Sequence, residues 1–186
     1  LMKPPAVAAL AEAGAEEVWL GVESGSQKIL DAMEKGSRVE EAPEATRTLQ
    51  AAGIRACWFL QLGYLGETWE QYERTVNLAC RLPLAYASFY TATPLPGTTL
   101  HAESVAAGAI PADYWLRFVR GETVDRVNFL VPDAEERARL AYRRFYLRRR
   151  KIGTILNHMV TPRMAWSVAS GLASLLRSES NQVRDI

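Results

Sequence analysis

A chain of 186 residues, 48% hydrophobic and 23% charged, has the composition of an ordinary globular protein with one full core. Its net charge of +1 conceals an asymmetry: residues 1–136 carry 11 Lys and Arg against 19 Asp and Glu, net −8, whereas residues 137–186 carry 11 against 2, net +9. The opening residues lack a signal-peptide pattern, and no uninterrupted apolar run reaches the length of a membrane span. Cys57 and Cys80 lie in apolar segments without metal-ligand spacing, so they read as buried, reduced thiols and the expectation is a cytoplasmic protein.

In chain order, the alanine-rich stretch from Pro4 to Ala13 predicts a helix that starts on Pro4-Pro5 and ends at Gly14. The apolar run Val18-Trp19-Leu20-Gly21-Val22 then predicts a short buried strand, which stops at Glu23. Ser24 and Gln27 have the spacing of a capping box. Ile29, Leu30 and Met33 share a helical face, and Gly36 is placed to end that helix. The same grammar returns 39 positions later: Leu10 to Gly14 followed by Val18-Trp19-Leu20 matches Leu49 to Gly53 followed by Cys57-Trp58-Phe59-Leu60. Pro43 falls inside the intervening helix, which either starts at Ala42 or is kinked; Ser37 and Glu40 have capping-box spacing and argue for an earlier start. A third pass runs from a Thr68/Gln71 capping box through a helix to the strand Tyr86–Tyr90. Successive helix-to-strand units of this kind require a parallel sheet with crossover helices.

Polar loops close the strands. Glu23-Ser24-Gly25-Ser26 follows the first, Gly63-Tyr64-Leu65-Gly66-Glu67-Thr68 the second, and Pro94-Leu95-Pro96-Gly97-Thr98 the third. Each alone reads as a cap or a turn. Together, on one rim of a parallel sheet, they describe a ligand site, and the unpaired N–H groups of Ser24 to Ser26 favour an anionic group there. From Leu100 to Pro132 the pattern weakens and predicts irregular covering structure. Asp133 and Glu136 then open a long helix ending in the basic run Tyr142 to Lys151, and Thr161-Pro162 starts a last amphipathic segment through Leu176.

Gly21-Val22-Glu23-Ser24-Gly25-Ser26 with Lys35-Gly36, Ala52-Gly53-Ile54, Gly63-x-x-Gly66-Glu67-Thr68 and Pro94-x-Pro96-Gly97-Thr98 resemble, in order, the second half of a radical S-adenosylmethionine (radical SAM) enzyme core. The subgroup it most resembles carries an N-terminal cobalamin-binding domain. The resemblance implies an α/β fold: the C-terminal half of a partial (β/α)6 TIM-like barrel with parallel strands over residues 1–100. A covering segment (101–132) and a basic helical C-terminal extension (133–186) would follow. It implies reductive cleavage of SAM to a 5′-deoxyadenosyl radical, methyl transfer through cobalamin, or both.

By the same resemblance Glu23, with Ser24, Gly25 and Ser26, and Lys35 would contact the methionyl or ribose part of SAM. Gln61, Leu62 and Gly63 would lie along the adenine, with Tyr90 and Thr91 closing its other side. Gly66, Glu67, Pro94, Pro96, Gly97 and Thr98 would form the substrate-side loops. The family's C-x-x-x-C-x-x-C loop does not occur in this sequence, and Cys57 and Cys80, 23 positions apart, do not replace it. The expectation is therefore a segment of a longer enzyme, inactive by itself, whose [4Fe-4S] ligands and cobalamin domain lie in an N-terminal remainder. The competing reading is a SAM-like ligand-binding module without catalysis. The expected partners are a small-molecule substrate and that remainder. Residues 142–176, basic and aromatic, would also suit an anionic membrane surface and make the protein peripheral to it. The acidic body argues against nucleic acid.

Overall fold

The computed structural model describes residues 2–122, 130–131 and 133–148. Three strands, β1 (Glu17–Glu23), β2 (Arg55–Leu62) and β3 (Ala87–Thr91), form one sheet in the order β1-β2-β3, and both pairings are parallel. Parallel neighbours need helical crossovers. Here α1 (Pro4–Glu12) leads into β1, α2 (Gln27–Ala32) and α3 (Glu41–Ala51) join β1 to β2, and α4 (Trp69–Arg81) joins β2 to β3. The repeated helix-to-strand grammar gives the same geometry twice. Gly14 and Gly53 adopt φ of 79° and 78°, and the next residues donate back to Leu10 O (2.9 Å) and Leu49 O (3.0 Å) to close each helix.

The core lies on the helix-covered face of the sheet. Ala56, Trp58, Leu60 and Leu62 alternate along β2 and are fully buried, and the Trp58 indole N–H donates to Thr46 Oγ1 of α3 at 2.9 Å. On the other face Trp19, Phe59 and Tyr86 are exposed and stacked, with ring centroids 4.6 Å apart for Trp19–Phe59 and 6.3 Å for Trp19–Tyr86. Cys57, two residues before Phe59, is buried, and that burial pushes its thiol up to about 11.

Several local expectations are replaced. The Ser24/Gln27 capping box does not form, because the Gln27 side chain instead donates to Asp31 Oδ1 (2.8 Å) and Ser37 O (3.1 Å) and accepts from Val39 N (3.0 Å). Ser26 is the N-cap of α2 and that helix closes at Ala32, with Glu34 left-handed at φ 52°. α3 starts at Glu41, placing Pro43 within its first turn, and Ser37 does not cap it. The Thr68/Gln71 capping box does form. The segment expected to be irregular contains α5 (Thr99–Ala106), capped by Thr98 Oγ1 accepting from His101 N at 3.1 Å, and α6 (Tyr114–Val119).

The last helix is α7 (Ala134–Tyr146), and the chain divides into two units after Ala138. In the second unit Tyr142 stacks on Tyr146 (6.1 Å), Phe145 meets Tyr146 edge-on (4.8 Å), and the Arg148 guanidinium lies 4.3 Å over the Phe145 ring. The rest of the basic run, the Thr161–Leu176 segment and the membrane-surface expectation attached to them lie outside the described residues. Among the described residues no helix is long and apolar enough to cross a membrane.

Candidate functional site

The three parallel strands end on one rim, so Glu23, Leu62 and Thr91 and the loops after them share an edge of the sheet. Glu23 is the focus of that edge. The register shifts between Gly21 and Glu23, and Glu23 itself is left-handed at φ 63°, a conformation that costs a non-glycine residue about 1–3 kcal/mol and collects at functional sites. Its carboxylate takes two partners. Lys35 Nζ donates to Oε1 at 3.1 Å, and the Tyr90 hydroxyl donates to Oε2 at 2.5 Å. Gly21 leaves room for this pair, since a Cβ there would stand 3.1 Å from Glu23 Oε1 and 3.4 Å from Lys35 Nζ.

A cavity of about 400 Å³ opens beside this cluster, and Glu23, Lys35, Gln61, Tyr90 and Thr98 all line it. Five of the residues singled out in the sequence thus come together, from β1, the end of the α2 region, β2, β3 and the start of α5. Gln61 and Tyr90 are register neighbours across β2 and β3. Burial raises the Tyr90 phenol, and its hydrogen bond to Glu23 and the charge of that carboxylate raise it further, so the hydroxyl stays a donor. Tyr64, Glu34 and Glu103 also line it. The Tyr64 hydroxyl donates to Ala32 O at 3.2 Å and is raised by burial, then by the charges of Glu103 and Glu34. Gly21 and Tyr64 stand within the motifs that the sequence offers without being singled out by them, and Glu103 carries no sequence signal.

The other sequence candidates are engaged elsewhere. The N–H groups of Ser24, Gly25 and Ser26 are not open to an anion: they donate to Val22 O (2.8 Å), Thr75 Oγ1 (2.9 Å) and Ser24 Oγ (3.1 Å). Ser24 Oγ also lies 3.1 Å from Thr75 Oγ1, and a Cβ on Gly25 would come within 2.7 Å of Thr75 Cα, so this loop is packed onto α4. Leu62 is buried in the core. Thr91 contributes its carbonyl to the Thr93 hydroxyl (3.2 Å), and the buried Pro94 accepts at its carbonyl from Trp115 Nε1 (2.7 Å). Gly66, at φ 77°, makes a turn, while Pro96 and Gly97 form an exposed one.

Gly63 and Glu67 differ most from expectation. The space beside Gly63 is filled by protein: a Cβ there would meet Ala134 Cβ at 2.7 Å and Val131 Cγ2 at 3.0 Å. Glu67 is a buried clamp rather than a loop tip. Its Oε2 accepts from Gly63 N (2.7 Å) and from Arg137 Nη1 (3.3 Å), and Oε1 has no hydrogen-bond partner among the described residues. Burial raises the carboxyl above its ordinary value, against the lowering effects of the Gly63 N–H and Arg137. Arg137 lies 70 positions away in sequence, too far for any local pattern to reveal the pair.

The donor set of the cavity, a carboxylate, an ammonium, a phenol and a carboxamide, fits a zwitterionic nucleoside ligand such as SAM. For a metal cluster the fit is different. Among the described residues no three His, Cys, Asp or Glu side chains converge as a metal site, so no part of a [4Fe-4S] site is assigned to them.

Residues 1–79 match the radical SAM superfamily. The chain is 32% identical over 141 residues, 75% of its own length and 31% of the relative's, to an uncharacterized methyltransferase of Pyrococcus horikoshii. It is 27% identical over 140 residues (71% of this chain, 26% of the relative) to the cytidylyl-2-hydroxyethylphosphonate methyltransferase of Streptomyces wedmorensis. It is 32% identical over 102 residues (54% and 22%) to the tRNA-2-methylthio-N(6)-dimethylallyladenosine synthase of Aromatoleum aromaticum. The chain thus spans less than a third of each of these relatives. The matched segment, 1–79, carries Glu23, Lys35 and all of β2.

Proposed function

We propose that the chain is part of a radical SAM iron–sulfur enzyme that transfers a methyl or related group to a small molecule, and that the cavity at Glu23 holds the methionyl and ribose part of SAM. The observation that carries the reading is the pairing at Glu23, whose two oxygens are held by Lys35 and Tyr90 at the mouth of the cavity. A carboxylate accepts from a pair of ribose hydroxyls or from an α-ammonium, and an ammonium side chain pairs with an α-carboxylate. The Glu23–Lys35 pair therefore offers complements to both charges of an amino-acid group.

When bound beside a reduced cluster, SAM supplies one-electron cleavage chemistry or an activated methyl group. The residues of this chain bind and orient it. Glu23 receives hydrogen bonds, Lys35 exchanges its internal carboxylate for one on the ligand, Tyr90 remains a protonated donor, and Gln61 presents an amide at the end of β2. The names of the relatives support group transfer, and the order of the motifs supports the cobalamin-using subgroup; the cluster ligands and any cobalamin site lie beyond the described residues. Gln61 and Tyr90 would face the adenine and Gly63 would not, because Val131 and Ala134 fill the space beside Gly63.

Calorimetric titration of the 186-residue chain with S-adenosylhomocysteine, the redox-inert product analogue, tests the reading. Glu23→Ala is expected to weaken binding at least tenfold, about 1.4 kcal/mol. Unchanged affinity in a variant with unchanged circular dichroism overturns it.

A further inference from the structure

The geometry points to Arg137 as a positioning residue of this cavity, acting through Glu67 and Gly63 to fix the end of β2 that bears Gln61. The inference rests on the reading of the cavity as an adenosyl site. Gln61 lines the cavity, and two residues later the Gly63 N–H donates to Glu67 Oε2 at 2.7 Å. Glu67 is 3% exposed and Arg137 4%. Arg137 binds the loop at two points: Nη1 donates to the Glu67 backbone carbonyl at 3.1 Å and to its Oε2 at 3.3 Å. The same guanidinium donates from Nε to Asp133 Oδ1 at 2.9 Å and lies 4.5 Å over the Trp69 ring.

One planar cation therefore ties the start of α7, the backbone of the Gly63–Glu67 loop and the first residue of α4 to the strand end. A planar fork can hold these contacts together and a flexible ammonium cannot. Val131 and Ala134, packed against Gly63, press on the same point. Were Arg137 there only to neutralise Glu67, removing both charges would leave the strand end as it is. Because it also grips the loop carbonyl and the Trp69 ring, removing both charges is expected to free it.

The test is amide hydrogen exchange and S-adenosylhomocysteine calorimetry on the whole chain, comparing wild type with the charge-balanced double variant Arg137→Met/Glu67→Gln. The carboxamide oxygen that replaces the Glu67 carboxylate still accepts from Gly63, and Asp133, which loses its contact with the guanidinium, has a side chain 29% exposed and keeps its solvation. The expected result is exchange at Trp58, in the middle of β2, within about threefold of wild type, exchange at Gly63 at least about tenfold faster, and affinity at least about fivefold weaker, as loss of a local constraint rather than of global stability requires. Wild-type exchange at Gly63 and wild-type affinity in the double variant would overturn the proposal, as would equal acceleration at Gly63 and Trp58. Arg137→Lys keeps the charge but not the fork, and it carries the same comparison if the double variant does not fold. If wild type itself fails to bind the analogue while Gly63 exchange behaves as expected, the strand-end lock stands and the adenosyl reading falls. If wild type binds and both variants bind equally well, the reading of the cavity stands and the role of Arg137 falls.

Discussion

Glu23 ends one strand and Glu67 stands in the loop after the neighbouring one, and each is met by a cation. At Glu23 the partner is Lys35, 12 positions on, with the lysine side chain 36% and the glutamate side chain 17% exposed, and the pair faces a cavity. At Glu67 the partner is Arg137, with side chains 5% exposed for the arginine and 0% for the glutamate, and the pair is sealed under Trp69. The difference separates a pair that a ligand can enter from one that only the fold can use. An exposed ammonium exchanges partners at little cost, whereas a buried guanidinium that leaves its carboxylate strands a charge away from water.

That contrast can be broken by experiment. The largest effect is expected for Arg137→Met, which leaves the Glu67 carboxylate buried without its cation; removal of one partner of such a pair costs about 3–5 kcal/mol, read by urea denaturation. A smaller effect is a slope against pH. Burial raises the Glu67 carboxyl above its ordinary value of 4.5 in spite of Arg137, so the folded chain holds that proton more tightly than the unfolded one. Its contribution is then greatest below the unfolded pKa and declines as pH climbs through the folded one. Glu67→Gln cannot ionise, and its denaturation midpoint should lose this part of the decline between acid and neutral pH. A steeper decline in the variant would show that Arg137 outweighs burial. The smallest effect is expected for Lys35→Met, below about 1 kcal/mol in stability because solvent screens the pair. Its consequence should appear in S-adenosylhomocysteine affinity, and a loss of stability as large as that of Arg137→Met would erase the distinction.

What the sequence reveals depends on how far apart the interacting residues are. The order of strands, their parallel sense and the common rim follow from helix endings at Gly14 and Gly53 and from apolar runs, all of which are local. The Thr68/Gln71 cap is legible because both partners lie within one turn. Ser24 and Gln27 have the same spacing and do not pair, because Thr75, 51 positions away from Ser24, and the Ser37–Val39 segment claim their side chains. Glu23, Lys35 and Tyr90 can be named from motifs in separate loops, but their meeting on a single carboxylate depends on the left-handed turn at Glu23 and the space beside Gly21. Glu67 is legible as a motif residue and misleading as to place, since the arginine that draws it inside comes from α7. The α5 and α6 helices escape a reading by periodicity because neither shows a clean apolar stripe, and Thr98, which has the look of a turn residue, also caps α5.

The thiol of Cys57 has a bearing on how such a protein can be handled. Only the thiolate is readily oxidised or alkylated, and a thiol pushed up to about 11 is ionised in roughly one molecule in ten thousand at neutral pH. Buried in the middle strand, it is a poor nucleophile at neutral pH. Air and iodoacetamide should therefore leave the middle strand unaltered, and alkylation of the folded chain should report on Cys80, the half-buried thiol of α4.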